Sequence, residues 1–372
     1  MKPHNRPVRV LIVDDSAFMR RVIQDLLRTD PLIDVVGHAR NGKEAIAMVH
    51  SEKPDVVTMD VEMPVMDGLE ALKTLMAENS LPVIMLSSLT EKGSAETIRA
   101  LELGAVDFIQ KPALTFMVNS EGFRNELITK IKASVFYRVQ PRNQEAEKTI
   151  TTEKSAAIHP KDKVGTTGAS EEAPKEALFE PTKTIVAIAI STGGPKALQS
   201  VIPRLPANFP SPILVVQHMP PGFTRSLADR LNHISAISVK EAENEEPIKQ
   251  GVVYIAPGDF HMRVRHHMHQ QYIILDQDSP IGGHRPAADA LFHSLSSSVY
   301  KYALCVVMTG MGSDGTNGVR ALREKKAIHV VTQDESSCVV YGMPKSIVLS
   351  GLANDVMPLD KISSFLVNKL GG

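Results

Sequence analysis

Val8-Arg9-Val10-Leu11-Ile12-Val13-Asp14-Asp15-Ser16 is the stretch on which the fold turns. Val8 to Val13 reads as a strand, and it ends in two carboxylates and a serine. Phe18, Met19, Val22, Ile23, Leu26 and Leu27 then recur at helical spacing. Val56 to Met59 and Val83 to Leu86 read as further strands, each followed by a helix-like segment. Strands that alternate with helices imply parallel pairing and right-handed crossovers. Residues 1–139 are therefore expected to form a doubly wound α/β domain.

The character changes over residues 140–180, which are rich in Lys, Glu, Thr, Ala, Ser and Pro. Their bulky apolar residues are scattered without a period, too few to offset the entropy of ordering, so this segment reads as a flexible linker. Order returns over residues 181–372. Thr184 to Ile190, Ile213 to Val216, Val252 to Ile255, Leu304 to Met308 and Ile328 to Val331 are strand candidates. Helical stretches such as Ala197 to Ile202 and Thr316 to Lys325 lie between some of them, which predicts a second, mostly parallel α/β domain. Met262 to Leu275 is compatible with a hairpin. The histidines around it (His261, His266, His267, His269) lack helical metal-ligand spacing.

Bulk properties narrow the partners. A chain of 372 residues suggests two or three domains. Lys+Arg is 41 and Asp+Glu is 42, a net charge of −1, which offers no basic stripe for nucleic acid. Cys305 and Cys338 make neither a disulfide framework nor a zinc site; both sit in apolar contexts that read as core strand positions, as in a reducing compartment. The first residues hold no apolar stretch of signal-peptide length, and the longest apolar runs are too short to span a bilayer. A cytoplasmic protein without membrane insertion is expected.

In an open parallel sheet, ligands bind at the carboxyl ends of the strands. Asp14, Asp15 and Asp60 are thus expected at one edge, where three carboxylates repel unless a hard cation lies among them. Mg²⁺ suits such oxygen ligands and keeps waters for a phosphoryl donor to displace. Asp60 can then attack phosphorus. Ser87, after Val83 to Leu86, offers a hydroxyl, and Lys111 a point charge aimed by an expected cis bond before Pro112. Alone, Asp-Asp reads as a helix-cap pair and Lys-Pro as a turn; the ordered set at strand ends reads as a phosphate-accepting site. In this set, residues 8 to 135 resemble the response-regulator receiver family, with its flavodoxin-like fold. The resemblance implies that Asp60 is phosphorylated by a histidine kinase and that Asp14 and Asp15 help to bind Mg²⁺. It also implies that Ser87 and Phe108 are switch positions, where the family often has Thr and Tyr.

The second domain opens on Thr184 to Ile190 followed by Ser191-Thr192-Gly193-Gly194-Pro195. This turn has two readings, a phosphate cradle at a helix start or a nucleophilic serine on a sharp strand-to-helix turn. It matches neither a dinucleotide fingerprint nor a Walker loop, nor the Gly-x-Ser-x-Gly elbow. Two later strand ends favour the nucleophile, because Ile213 to Val216 leads into Gln217-His218 and Leu304 to Met308 into Thr309-Gly310-Met311-Gly312-Ser313-Asp314. His218 is placed to take the Ser191 proton and Asp314 to hold the imidazole. The Met311 amide, and more weakly that of Thr192, are the oxyanion donors to expect. Singly, each residue reads as structural: a histidine in the core, an aspartate in a turn, a serine capping a helix.

Ser191 to Pro195, Gln217-His-Met-Pro-Pro-Gly-Phe-Thr224, His284-Arg285-Pro286, Thr309 to Gly315 and Val340-Tyr-Gly-Met-Pro344 resemble the chemotaxis protein-glutamate methylesterases over about residues 183 to 369. The resemblance implies a Rossmann-like domain that needs no cofactor. It implies hydrolysis of glutamate γ-methyl esters, and deamidation of certain glutamines, on methyl-accepting chemotaxis receptors. An acyl-enzyme on Ser191 is implied in both reactions. The arrangement also suggests occlusion: an unphosphorylated receiver covering the Ser191 edge and released by phosphate on Asp60. A ligand-binding output without catalysis and a DNA-binding regulator are the competing classes; no basic helix-turn-helix supports the latter.

Overall fold

The computed structural model describes residues 6–78, 81–88, 90–112, 121–137, 179–268 and 270–371. Five strands, β1 (Val8–Val13), β2 (Ile33–Ala39), β3 (Val56–Asp60), β4 (Val83–Ser87) and β5 (Asp107–Gln110), form a parallel sheet in the order β2-β1-β3-β4-β5. Successive side chains of β1 point to opposite faces. Val10 and Ile12 pack with Met19, Ile23 and Leu27 of the helix Ala17–Leu27. Leu11 and Val13 pack on the other face, with Ala45 and Val49. Helices on both faces explain why Val10 to Val13 are apolar without alternation, whereas Arg9, nearer the start of the strand, is only half-buried. Phe18, counted in the helix's apolar stripe from sequence, is instead exposed.

The second sheet is also parallel. Its strands are β6 (Thr184–Ile190), β7 (Ile213–Gln217), β8 (Ser238–Glu241), β9 (Val252–Ile255), β12 (Tyr302–Val307), β13 (Ala327–Gln333) and β14 (Asp355–Met357), in the order β14-β13-β12-β6-β7-β9-β8. Between β9 and β12, the strands β10 (His261–His267) and β11 (Gln270–Asp276) form an antiparallel hairpin, with Met262 opposite Leu275. The molecule is thus two doubly wound α/β domains. The strand order reverses between β1 and β3 in the first sheet and between β6 and β12 in the second, where β8 and β9 are also transposed at the far edge. Those reversals are the positions where an open parallel sheet leaves a crevice for ligands.

Several local readings change. The expected helix from Ala197 to Ile202 begins earlier, at Gly194, and ends in a 3₁₀ turn, Ile202–Arg204. Cys305 is buried in β12, but Cys338 lies in a loop. Strand β13 stops at Gln333 because the Asp334 carboxylate accepts from the Ser337 amide (3.0 Å) and the Ser336 hydroxyl (2.7 Å), which closes a turn. The bond before Pro112 is not cis; among the described residues the cis bond is Arg285–Pro286. The segment 140–180 lies outside the described residues except for Phe179 and Glu180; the Phe179 ring packs on Tyr302 at 5.2 Å. Among the described residues no helix is long and apolar enough to cross a membrane.

Candidate functional site

At the carboxyl edge of the first sheet, oxygens of Asp14, Asp15 and Asp60 lie within 4.8 Å of one another. Ser16, not the aspartates, caps the following helix: its hydroxyl accepts from the Met19 amide at 3.3 Å. That leaves Asp15 exposed and free to face a ligand. Lys111 Nζ lies 2.7 Å from both Asp14 Oδ2 and Asp60 Oδ2. Its backbone amide donates to the Ser87 carbonyl at 2.8 Å, so strand pairing aims it without a cis bond. Gly68 lets the loop close behind the cluster, since a Cβ there would stand 2.1 Å from the Asp60 carbonyl oxygen.

Burial pushes the Asp60 carboxyl up, Lys111 pulls it down, and Asp14 and Asp15 push it up again, leaving it at about 6. Burial likewise pulls Lys111 down, but Asp60 and Asp14 overcome that and hold it above the usual lysine range. Three carboxylates facing one ammonium fit a hard divalent cation with oxygen ligands. Because folding raises the Asp60 pKa, its contribution to stability is greatest below the ordinary 3.8 of an aspartate and is lost as pH rises through about 6. In chelator at neutral pH, Asp60→Asn is therefore expected to stabilise this domain by up to about 3 kcal/mol. The gap should narrow in acid. Equal melting curves for parent and variant at neutral pH would contradict it.

Ser87 is buried, and its hydroxyl donates to the Gly93 carbonyl at 3.2 Å. Phe108 is buried as well, but its ring leaves its own domain and stacks on Phe223, with centroids 4.6 Å apart. Its carbonyl accepts from Lys130 Nζ at 2.6 Å, and Lys130 pairs with Asp107 and Glu126. Phe223 opens the helix Phe223–Ile234, five residues after His218. Glu102 of the helix Glu91–Leu103 pairs with Arg230 of that same helix. The first domain thus rests on the element next to His218.

In the second domain Ser191 follows β6, His218 follows β7 and Asp314 lies in the loop after β12. His218 Nδ1 lies 3.1 Å from Ser191 Oγ, and Nε2 lies 2.7 Å from Asp314 Oδ2. The backbone fixes both ends. The Ser191 amide donates to the Thr309 carbonyl at 3.0 Å, and the His218 amide to the Ile190 carbonyl at 3.2 Å. Asp314 accepts from the amides of Ala288 (2.6 Å) and Asp289 (2.9 Å), where the helix Ala288–Leu295 starts. Burial pushes the Asp314 carboxyl up, but the bond to His218 and these two amides outweigh it and hold it below the usual range. An ionised Asp314 assigns the neutral imidazole's proton to Nε2 and leaves the Nδ1 lone pair for the serine hydroxyl.

Gly310 lies hard against Ser191: a Cβ there would come within 2.8 Å of Ser191 Cβ and 2.4 Å of Met343 Sδ. The Val340 to Pro344 segment clamps this loop. The Gly310 amide donates to the Val340 carbonyl at 3.0 Å, and the Gly310 carbonyl accepts from the amides of Gly342 and Met343. Thr309 Oγ1 donates to the Thr192 carbonyl at 3.0 Å and accepts from the Val340 amide at 3.0 Å. Hydrogen bonding among the described residues leaves the amides of Met311 and Thr192 without an acceptor.

Sequence reasoning gave His284 no individual role, yet its ring lies flat on His218, centroids 4.0 Å apart and planes 8° from parallel. Burial and His218 push it down to about 4, against weaker pulls from Asp314 and from Glu126 of the first domain. The signal available was its triplet, His284-Arg285-Pro286. The other histidines do other work: His261 is buried and bonds the Ser279 carbonyl (3.2 Å), and His266 Nδ1 meets Gln271 at 2.7 Å. His269 lies outside the described residues.

The CheB methylesterase family model matches residues 186–366, and the response regulator receiver domain model matches residues 10–117. The chain is 43% identical over 367 residues to a protein-glutamate methylesterase/protein-glutamine glutaminase 1 of Syntrophomonas wolfei, covering 97% of this chain and 99% of that one. It is 44% identical over 364 residues to a protein-glutamate methylesterase/protein-glutamine glutaminase of Halalkalibacterium halodurans, covering 97% and 98%. It is also similar to the crystal structure of the Thermotoga maritima CheB methylesterase catalytic domain, with 46% identity over 50% of this chain and 97% of that one and a TM-score of 0.48.

Proposed function

The chain belongs to the family of protein-glutamate methylesterases/protein-glutamine glutaminases, and from that premise we propose that it hydrolyses glutamate γ-methyl esters, and deamidates selected glutamines, on methyl-accepting chemotaxis receptors. The reading of the site rests on the unbroken hydrogen-bonded line from Ser191 Oγ through His218 to Asp314. Ser191 Oγ attacks the ester carbonyl as His218 Nδ1 takes its proton. The amides of Met311 and Thr192 receive the developing oxyanion. The tetrahedral intermediate collapses, and Nδ1–H protonates the departing methoxide, or the departing amine of a glutamine, to give methanol or ammonia. Water then loses a proton to Nδ1 and attacks the acyl carbon, releasing the glutamate carboxylate and restoring the serine.

Asp60 accepts a phosphoryl group from a histidine kinase, with Asp14 and Asp15 completing the metal-ligand set and Lys111 and Ser87 answering the new charge. Mg²⁺ held by Asp14, Asp15 and Asp60 would neutralise the phosphoryl oxygens. The unphosphorylated receiver covers the Ser191 edge, and phosphorylation uncovers it; the Phe108–Phe223 stack beside His218 supports this. Such an enzyme works in the cytoplasm, sets adaptation in chemotaxis and needs no nucleic acid.

The test is methanol release from methylated receptor membranes. In Asp314→Asn the carboxylate that orients the imidazole becomes an amide able to impose the wrong tautomer. A fall in kcat of roughly 10⁴-fold with the fold intact is expected. A variant within tenfold of the parent would remove Asp314 from the proposed triad.

A further inference from the structure

His218 is held at both ring nitrogens, by Ser191 and by Asp314. One of these holds is temporary. Once Ser191 Oγ is esterified in the acyl-enzyme it can no longer donate to Nδ1, and the imidazole must keep its place with Asp314 alone while water arrives. A ring tethered at one nitrogen can tip about that bond, and a displacement of about 1 Å can cost on the order of 10²-fold in rate. Something must hold its face.

His284 is built to do so. Its ring lies parallel to His218 at 4.0 Å. It is presented by a tight turn in which Ile281 and His284 exchange backbone hydrogen bonds (3.1 and 3.0 Å), with positive φ at Gly282 and Gly283. The chain is pinned just beyond it. Arg285 bonds the Asp259 carboxylate (2.6 Å) and the carbonyls of Gln277 (2.9 Å) and Asp278 (3.0 Å). The Ala287 amide meets buried His261 Nδ1 at 3.3 Å. The next two residues, Ala288 and Asp289, are those whose amides hold Asp314. A single segment, Ile281 to Asp289, therefore fixes Asp314 and lays a flat ring on His218.

We propose that His284 is a positioning residue of the esterase, whose ring face keeps the His218 imidazole in the plane joining Ser191 to Asp314 through acylation and deacylation. This rests on the Ser191-His218-Asp314 reading. A flat aromatic face also suits a ring that alternates between imidazole and imidazolium, since a π face attracts a neighbouring cation.

The test uses the full chain and methanol release from methylated receptor membranes, with melting curves to verify folding. His284→Ala is expected to lower kcat by roughly 10²-fold with KM little changed, because receptor binding does not need the imidazole plane. His284→Phe keeps a flat ring and is expected to return kcat to within a few fold of the parent. An Ala variant with parental kcat would overturn the proposal. So would a folded Phe variant that is as slow as the Ala variant, because a ring nitrogen rather than the stacking face would then be at work. If the Ala variant does not fold, the Phe variant alone decides, a kcat near the parent's supporting the role and a large loss rejecting it. Ser191→Ala run alongside separates the two readings. Parental activity there removes the triad itself, whereas an inactive Ser191→Ala beside a fully active His284→Ala removes only the role of His284.

Discussion

Ser191→Ala is expected to abolish methanol release from methylated receptor membranes, with kcat falling by about 10⁶-fold. The fold should barely notice. Ser191 is held by its main chain, through the amide bond to the Thr309 carbonyl and through a carbonyl that accepts from the Gly194 amide and from Gln217 Nε2. Alanine keeps all three, and it keeps the Cβ against which Gly310 packs. The hydroxyl gives up one bond, to His218 Nδ1 at 3.1 Å. The loss is therefore chemical: no oxygen remains to carry the acyl group. Residual rate would come from the oxyanion amides and substrate binding, worth roughly 10³–10⁴ over water in comparable hydrolases. Phosphoryl uptake at Asp60 should be unchanged, because that site lies in the other domain. A Ser191→Ala chain that still releases methanol at the parental rate would sink the assigned nucleophile.

The parts of the molecule legible in the sequence are those where one strand or one turn carries the signal. Val10 to Val13 and Ile185 to Ile190 are buried on both faces and so read as unbroken apolar runs. The residues after β1, β3, β6, β7 and β12 could be placed together because parallel strands put their carboxyl ends on one edge. Strand β2 escaped notice because it is an edge strand carrying Asp34, Gly37 and His38 among its apolar residues, and β5 because it has four residues. What depends on long-range packing left no local trace. Phe108 looks like any core aromatic of a short strand, and nothing near it in sequence says that its ring is matched by Phe223 of another domain. The stacking of His284 on His218 joins positions far apart in the chain, which a triplet motif marks without explaining. Lys111-Pro112 misled in the opposite sense: the dipeptide suggested a cis bond, whereas pairing of the Lys111 amide with the Ser87 carbonyl aims the lysine.

Removing the receiver is expected to raise the esterase rate. A chain beginning at Pro181 should release methanol about 5–150-fold faster than unphosphorylated full-length protein, the range of a coupling free energy of about 1–3 kcal/mol. The contact to be lost is modest. The Phe108–Phe223 stack is worth about 0.5–1.5 kcal/mol beyond its area, and the partly exposed Arg230–Glu102 pair adds about 0–1 kcal/mol. A contact of this strength suits a switch. Moving a population from 1:99 to 99:1 takes about 5.5 kcal/mol, and a phosphoryl group brings about −1.5 to −2 charges to Asp60. Lys111, now divided between Asp14 and Asp60, would be drawn toward that charge. It follows β5, and its amide is bonded to Ser87 on β4. A shift there reaches Phe108, three residues earlier, whose ring holds the start of the helix next to His218. Phe108→Ala in the full-length chain should accordingly raise the basal rate part of the way toward that of the isolated catalytic domain and weaken the response to phosphorylation. If the chain beginning at Pro181 were no faster than the unphosphorylated parent, the receiver would not be occluding Ser191. Control through Asp60 would then have to act on the chemistry of the site rather than on access to it.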